Sequence, residues 1–300
     1  MSPQLHLADL QSHRVKSSHL SWLLVLPLAA CSPQSLLLKG TADALAEQGQ
    51  TQEEDLELAR DAAAFYLKLS ESVLRQQPDH GPLAVAVASG LTQYAYAFVA
   101  FEADKIEAQD AKAARRLRER AARLYWRAQR HALATLEAQQ PGFAKALAAG
   151  TAKLGADQVA LAYWGAAAWG AAISLSKDQP DAVADLPLAV QLTQLAWRLQ
   201  PAYGEGALSA LAGSFEAARP GGQVNQAQRY FDTARAHAQG RNAGVLVSEA
   251  ESISVPAGDR RGFEQLLQQA LKAAAGQRDL ASTVMRERAQ WLLDTADDRF

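Results

Sequence analysis

The chain holds one cysteine in 300 residues, so no intrachain disulfide can brace it and no thiolate cluster can bind a metal. Strand signals are scarce, because few runs rich in Val, Ile and Thr alternate with a period of two. Neither sign of charge prevails, with 30 Lys and Arg against 32 Asp and Glu, which leaves no basic footprint for nucleic acid. Past Cys31 no apolar run reaches the roughly 20 residues of a membrane-spanning helix. Catalytic signatures are missing too. His80, His131 and His237 lie in no HExxH or His/Cys cluster, and neither a GxSxG elbow nor a GxxxxGK[ST] loop occurs. These absences predict a protein that is not an enzyme and uses no cofactor or metal.

The one cysteine closes a short apolar run, "LSWLLVLPLAAC", Leu20 to Cys31. The run is too short to span a bilayer. It follows Arg14 and Lys16, and small residues Ala29 and Ala30 precede the cysteine. A basic flank, an apolar core and a small-residue cut site make a secretory leader. With a thiol just past the cut the pattern resembles a bacterial lipobox, so Cys31 is the expected lipid attachment point. The competing reading is a free cysteine buried in a first helix. Ser32 in place of Asp favours the outer membrane, facing the periplasm. The expected organisation is a leader over 1–30, a lipidated terminus, tether and first helix over 31–51, and one helical domain over 52–300.

Beyond the tether the chain is alanine-rich and helical in period almost throughout. Helices are expected at Gln52–Gln77, Gly81–Glu102, Asp104–Gln139, Gly142–Ala149, Gly155–Ser176, Val183–Gln200, Gly204–Ala218, Val224–Gln239, Ala243–Ser252, Arg260–Ala275 and Asp279–Asp297. Prolines punctuate them. The expected fold is all-α, stacked antiparallel helix pairs forming a cryptic TPR-like α-solenoid or bundle. Leu208, Leu211, Ala212 and Phe215, then Ala227, Phe231 and Ala234, fit the two helices of one tetratricopeptide unit. Ala189, Ala196 and Pro201 fit part of another, with Thr193 where an aromatic is usual.

Three features carry candidate sites. Arg116, Arg120, Arg123, Arg127 and Arg130 step by four and three along one helical stripe; they form either a solvated face or a docking edge for an acidic partner or anionic head groups. Asp178, Asp181 and Asp185 lack the spacing of an EF-hand and read as charge at a helix start. In "ALAYWGAAAWGAAISLSKD", Ala160 to Asp178, Trp164 and Trp169 are five residues apart, so their rings point about 140° apart. Such a small-sided helix is a central core element, or else Tyr163, Trp164 and Trp169 line an apolar ligand cavity.

"YWGAAAWGAAISLSKD", "ADLPLA", "ALSALAGSFEAARPGG", "QAQRYFDTARAHA" and "RAQWLLDTADDRF" together resemble the T component of tetratricopeptide-associated TRAP transporters. The resemblance runs from about Leu37 to Phe300. It implies a periplasmic TPR-like lipoprotein that forms homotrimers, has an opening through each subunit and associates with the TRAP solute-binding protein. It also implies a small organic, hydrophobic ligand and no enzymatic activity. The alternative is a structural TPR-like scaffold lipoprotein in envelope assembly.

Overall fold

The computed structural model describes residues 33–48 and 55–300. Cys31 and the leader lie outside them, as does the expected helix start at Gln52. The described residues contain helices and turns and no strand. In chain order they are α1 (Pro33–Gln48), α2 (Leu56–Leu74), α3 (Gly81–Ala95), α4 (Phe101–Ile106), α5 (Ala111–Gln139), α6 (Phe143–Ala148), α7 (Val159–Ser174), α8 (Pro180–Ala184), α9 (Leu186–Leu199), α10 (Ala207–Ala218), α11 (Val224–Ala238), α12 (Ala243–Glu249), α13 (Arg260–Ala274) and α14 (Leu280–Asp294).

Local chemistry sets most boundaries. Carboxylates of Asp55, Asp110, Asp259 and Asp279 accept from backbone N–H groups in the first turns of α2, α5, α13 and α14, satisfying donors that a helix start leaves unpaired. His80 caps α3 instead, its Nδ1 accepting from the Leu83 N–H at 3.1 Å. The expected break near Ala103 falls later, at 107–110. No glycine or proline interrupts the chain there, and Arg118 on α5 pairs with both Asp104 and Glu107, so both acids are held from α5. The expected helix from Val183 to Gln200 is cut at Asp185, because Pro187 has no N–H to bond back one turn and instead occupies the first turn of α9.

Two helices carry a π turn. α3 passes through Tyr96–Ala100 into α4, and α12 runs on into Ala250–Ser254. The π turn lets α3 and α4 form one continuous helix, Gly81–Ile106. This corrects the expectation that nothing past Cys31 is long enough to span a membrane: by length and hydropathy this helix is. Leu83, Ala84, Val87, Ala88, Leu91, Ala95 and Val99 are nevertheless buried, with α1, α2, α5 and α7 packed around it, which is how a core helix is dressed.

The largest core joins α1, α2, α3, α5, α6, α7, α9 and α10. A second joins α12, α13 and α14 around Phe263, Leu267 and Leu292, and Phe231, Ala234 and Val245 link α10, α11 and α12. α10 and α11 lie against each other. Of the residues matched to one repeat unit, Leu208, Ala212, Phe215, Ala227, Phe231 and Ala234 are buried and Leu211 is half-buried. Gly213 makes that approach possible, since a Cβ there would sit 2.9 Å from the Phe231 ring.

Candidate functional site

α7 packs on α3, α5, α9 and α10. Its small residues are spacers. A Cβ on Gly165 would meet the Ala132 methyl at 2.8 Å, and one on Gly170 would lie 2.6 Å from the Phe215 ring. The two indoles part company as their five-residue spacing requires. Trp169 is buried, and its Nε1–H donates to Asp185 Oδ2 at 3.3 Å. Trp164 is half-buried in an aromatic trio, with Tyr163 edge-on at 4.9 Å between centroids and Tyr203 5.1 Å beyond. Burial pushes the Tyr163 hydroxyl well above its ordinary range. Burial also raises Tyr203, less so because Trp164 hydrogen-bonds it. Asp185, one of three acids noted in the sequence, thus holds an indole.

The arginine stripe divides. Arg116, Arg120, Arg123 and Arg130 are exposed on α5, and Arg120 lies 5.9 Å over the Tyr94 ring. Arg127 turns inward to form a bidentate pair with Glu71 of α2. Glu71 is only 1% exposed and also meets His131 Nε2 at 2.8 Å. Burial works to raise this carboxyl, but hydrogen bonds from His131 and Arg127 outweigh it and hold the group below its ordinary value.

A second ionic centre forms around the buried Arg288, close to both π turns. Arg288 of α14 donates through Nη1 to Asp104 Oδ2 at 2.7 Å and through Nη2 to Glu251 Oε1 at 2.6 Å. Asp104 follows the first π turn and Glu251 sits within the second. The guanidinium stacks 5.1 Å from Phe101 and 4.8 Å from Trp291. Its Nε is buried without a partner. Burial, and then the charge of Glu251, push the Tyr96 hydroxyl up, and burial does the same to Tyr125 beside it. Single π turns gather at functional positions. Sequence reasoning missed this centre because its members are 184 positions apart and the terminal "RAQWLLDTADDRF" shows a helical pattern with no hint that its first arginine is buried.

Two clefts open on the C-terminal half. One, of about 370 Å³, is lined by Arg235, Asn242, Leu246, Gln269 and Lys272 among others. The other, of about 420 Å³, is lined by Glu205, Arg241, Asn242, Ser282 and Met285 among others. Neither is bordered by Tyr163, Trp164 or Trp169. Among the described residues no three His, Cys, Asp or Glu side chains converge as a metal site would require.

A family model of the TRAP transporter T-component matches residues 52–300. The chain belongs to the TRAP transporter T-component family. A relative described as an uncharacterized protein, from Treponema pallidum (strain Nichols), is 28% identical over 267 residues, covering 83% of this chain and 82% of its own length. Membership implies an accessory role in a TRAP transport system. Both ionic centres, the aromatic trio and the two clefts fall within the matched residues of this T-component.

Proposed function

We propose that this T-component is a periplasmic lipoprotein, anchored through Cys31 to the inner leaflet of the outer membrane, that holds a TRAP solute-binding protein and passes a small organic ligand along its helical body. The observation that carries the reading is family membership across residues 52–300. The lipobox supports the anchor, since the two or three acyl chains of a bacterial lipoprotein exceed the single chain that binds only marginally. The buried faces of α10 and α11 support a TPR-like stack, and repeat stacks present concave binding surfaces. Arg116, Arg120, Arg123 and Arg130 offer a docking edge of one sign, with Arg127 withdrawn to Glu71. Tyr163 and Trp164 supply an apolar wall for the ligand, while Trp169 supports it from the core. The resemblance adds a homotrimer.

Affinity capture of the full-length lipoprotein from its native envelope tests the reading. The expected result is recovery of a TRAP-type solute-binding protein, lost when Arg116, Arg120, Arg123 and Arg130 are all replaced by Glu. Recovery of outer-membrane or cell-wall assembly factors alone, with that binding protein present in the cells, establishes the scaffold role instead.

A further inference from the structure

The described exposed large hydrophobic residues are not spread evenly. Three of them, Leu58, Phe65 and Leu69, lie on α2 and are 56%, 75% and 42% exposed. With exposed Ala62 they step by four, three and four residues, which aligns them within about 60° on one stripe of the helix. The buried face of α2, carrying Ala59, Leu67, Ser70, Val73 and Leu74, points elsewhere, so the stripe has no use in the fold. Contiguous apolar surface left outside marks an interaction site.

The charges beside the stripe say what covers it. Glu57, Asp61, Lys68 and Arg75 all lie along one flank and all are exposed. Both acids are in the first half of α2 and both bases in the second. An anionic lipid surface would call for bases throughout. A parallel two-fold partner would set this flank against the opposite flank of its copy, where Ala59, Tyr66 and Val73 lie, and leave the four charges without partners across the contact. An antiparallel copy sets Asp61 against Lys68 of the other chain and Glu57 against its Arg75, with Phe65 near the centre. We infer that α2 is a self-association surface on which a second copy of this chain seats its own α2 in antiparallel register about a two-fold axis near Phe65. Such a contact is isologous, with the same patch serving both partners. Alone it yields a dimer. Added to the threefold assembly proposed above it yields a hexamer, so the even count distinguishes it from that assembly.

The test uses the full-length lipoprotein in detergent. Native mass spectrometry is expected to show an even-numbered assembly that Phe65→Glu halves. Asp61→Lys should weaken pairing at least tenfold, and adding Lys68→Asp should restore it. In cells, Phe65→Cys should cross-link to its own equivalent, identified as a 65–65 disulfide peptide, because residues beside a two-fold axis face their copies. An odd-numbered or monomeric species that Phe65→Glu leaves unchanged overturns the inference. So does failure of the double charge swap to restore pairing, or a Phe65→Glu variant that loses only vesicle binding.

Discussion

Arg288 and Asp104 are joined by a 2.7 Å ion pair across 184 residues of chain. Asp104 closes the helix that runs through the first π turn, and Arg288 belongs to the last long helix, so this bond ties the N-terminal half of the chain to its end. Glu251 shares the same guanidinium from the second π turn. A planar fork can serve two carboxylates at fixed angles while its face rests on Phe101 and Trp291, whereas a lysine ammonium can do neither.

Arg288→Met is therefore expected to destabilise the protein by about 2–4 kcal/mol, at or below the cost of breaking a buried pair because both acids keep some contact with water. Arg288→Lys should recover less than half of that loss. Urea unfolding of the three proteins measures it, and near-complete rescue by lysine would show that charge alone matters at this centre.

The glycines of α7 make a second case. Gly165→Ala should improve helix propensity by up to about 1 kcal/mol, yet its new methyl would overlap that of Ala132, itself buried on the rigid face of α5. Overpacking costs about 1–3 kcal/mol, so the net effect is expected to be destabilising. Adding Ala132→Gly should return part of it. Thermal melts of the two singles and the double give the coupling, and additivity would show that the helices separate freely.

The helices were legible because apolar period and capping acids are local signals. The all-helical content and the central place of α7 follow from them. Tertiary pairings were not legible. Nothing in the repeating arginines of α5 shows that Arg127 alone turns inward, because the reason, Glu71, sits on another helix. The π turns were hidden as well, since one extra residue in a helical turn hardly disturbs an alanine-rich pattern. Asp185 read as charge at a helix start, and its role as acceptor for Trp169 depended on where Pro187 broke the chain.

The two indoles of α7 should respond differently to truncation. Trp169→Ala removes a buried ring and leaves Asp185 without its donor, at an expected cost of about 3–5 kcal/mol. Trp164→Ala removes a half-buried ring at the edge of the aromatic trio and should cost about half as much, leaving a folded protein. If Trp164 belongs to the ligand wall, that folded variant also loses binding of a hydrophobic fluorescent probe. Equal destabilisation by both, with probe binding intact in Trp164→Ala, would assign both rings to the core.

Glu71 should contribute to the acid sensitivity of the fold. Its carboxyl is held below the ordinary value in the folded state, so it binds protons less readily there than in the unfolded chain. The stabilisation is complete above the ordinary glutamate value of about 4.3 and is lost as pH falls through the lower, folded one. Glu71→Gln abolishes that titration while keeping the shape of the side chain. The variant should be less stable at neutral pH, where Arg127 and His131 face an uncharged partner, and its stability should fall less steeply between pH 5 and 3 than that of the unaltered protein. Denaturation midpoints across that range measure both effects. Parallel acid limbs in the two proteins would mean that Arg127 and His131 do not hold the ionised carboxylate, and that the link between α2 and α5 rests on packing alone.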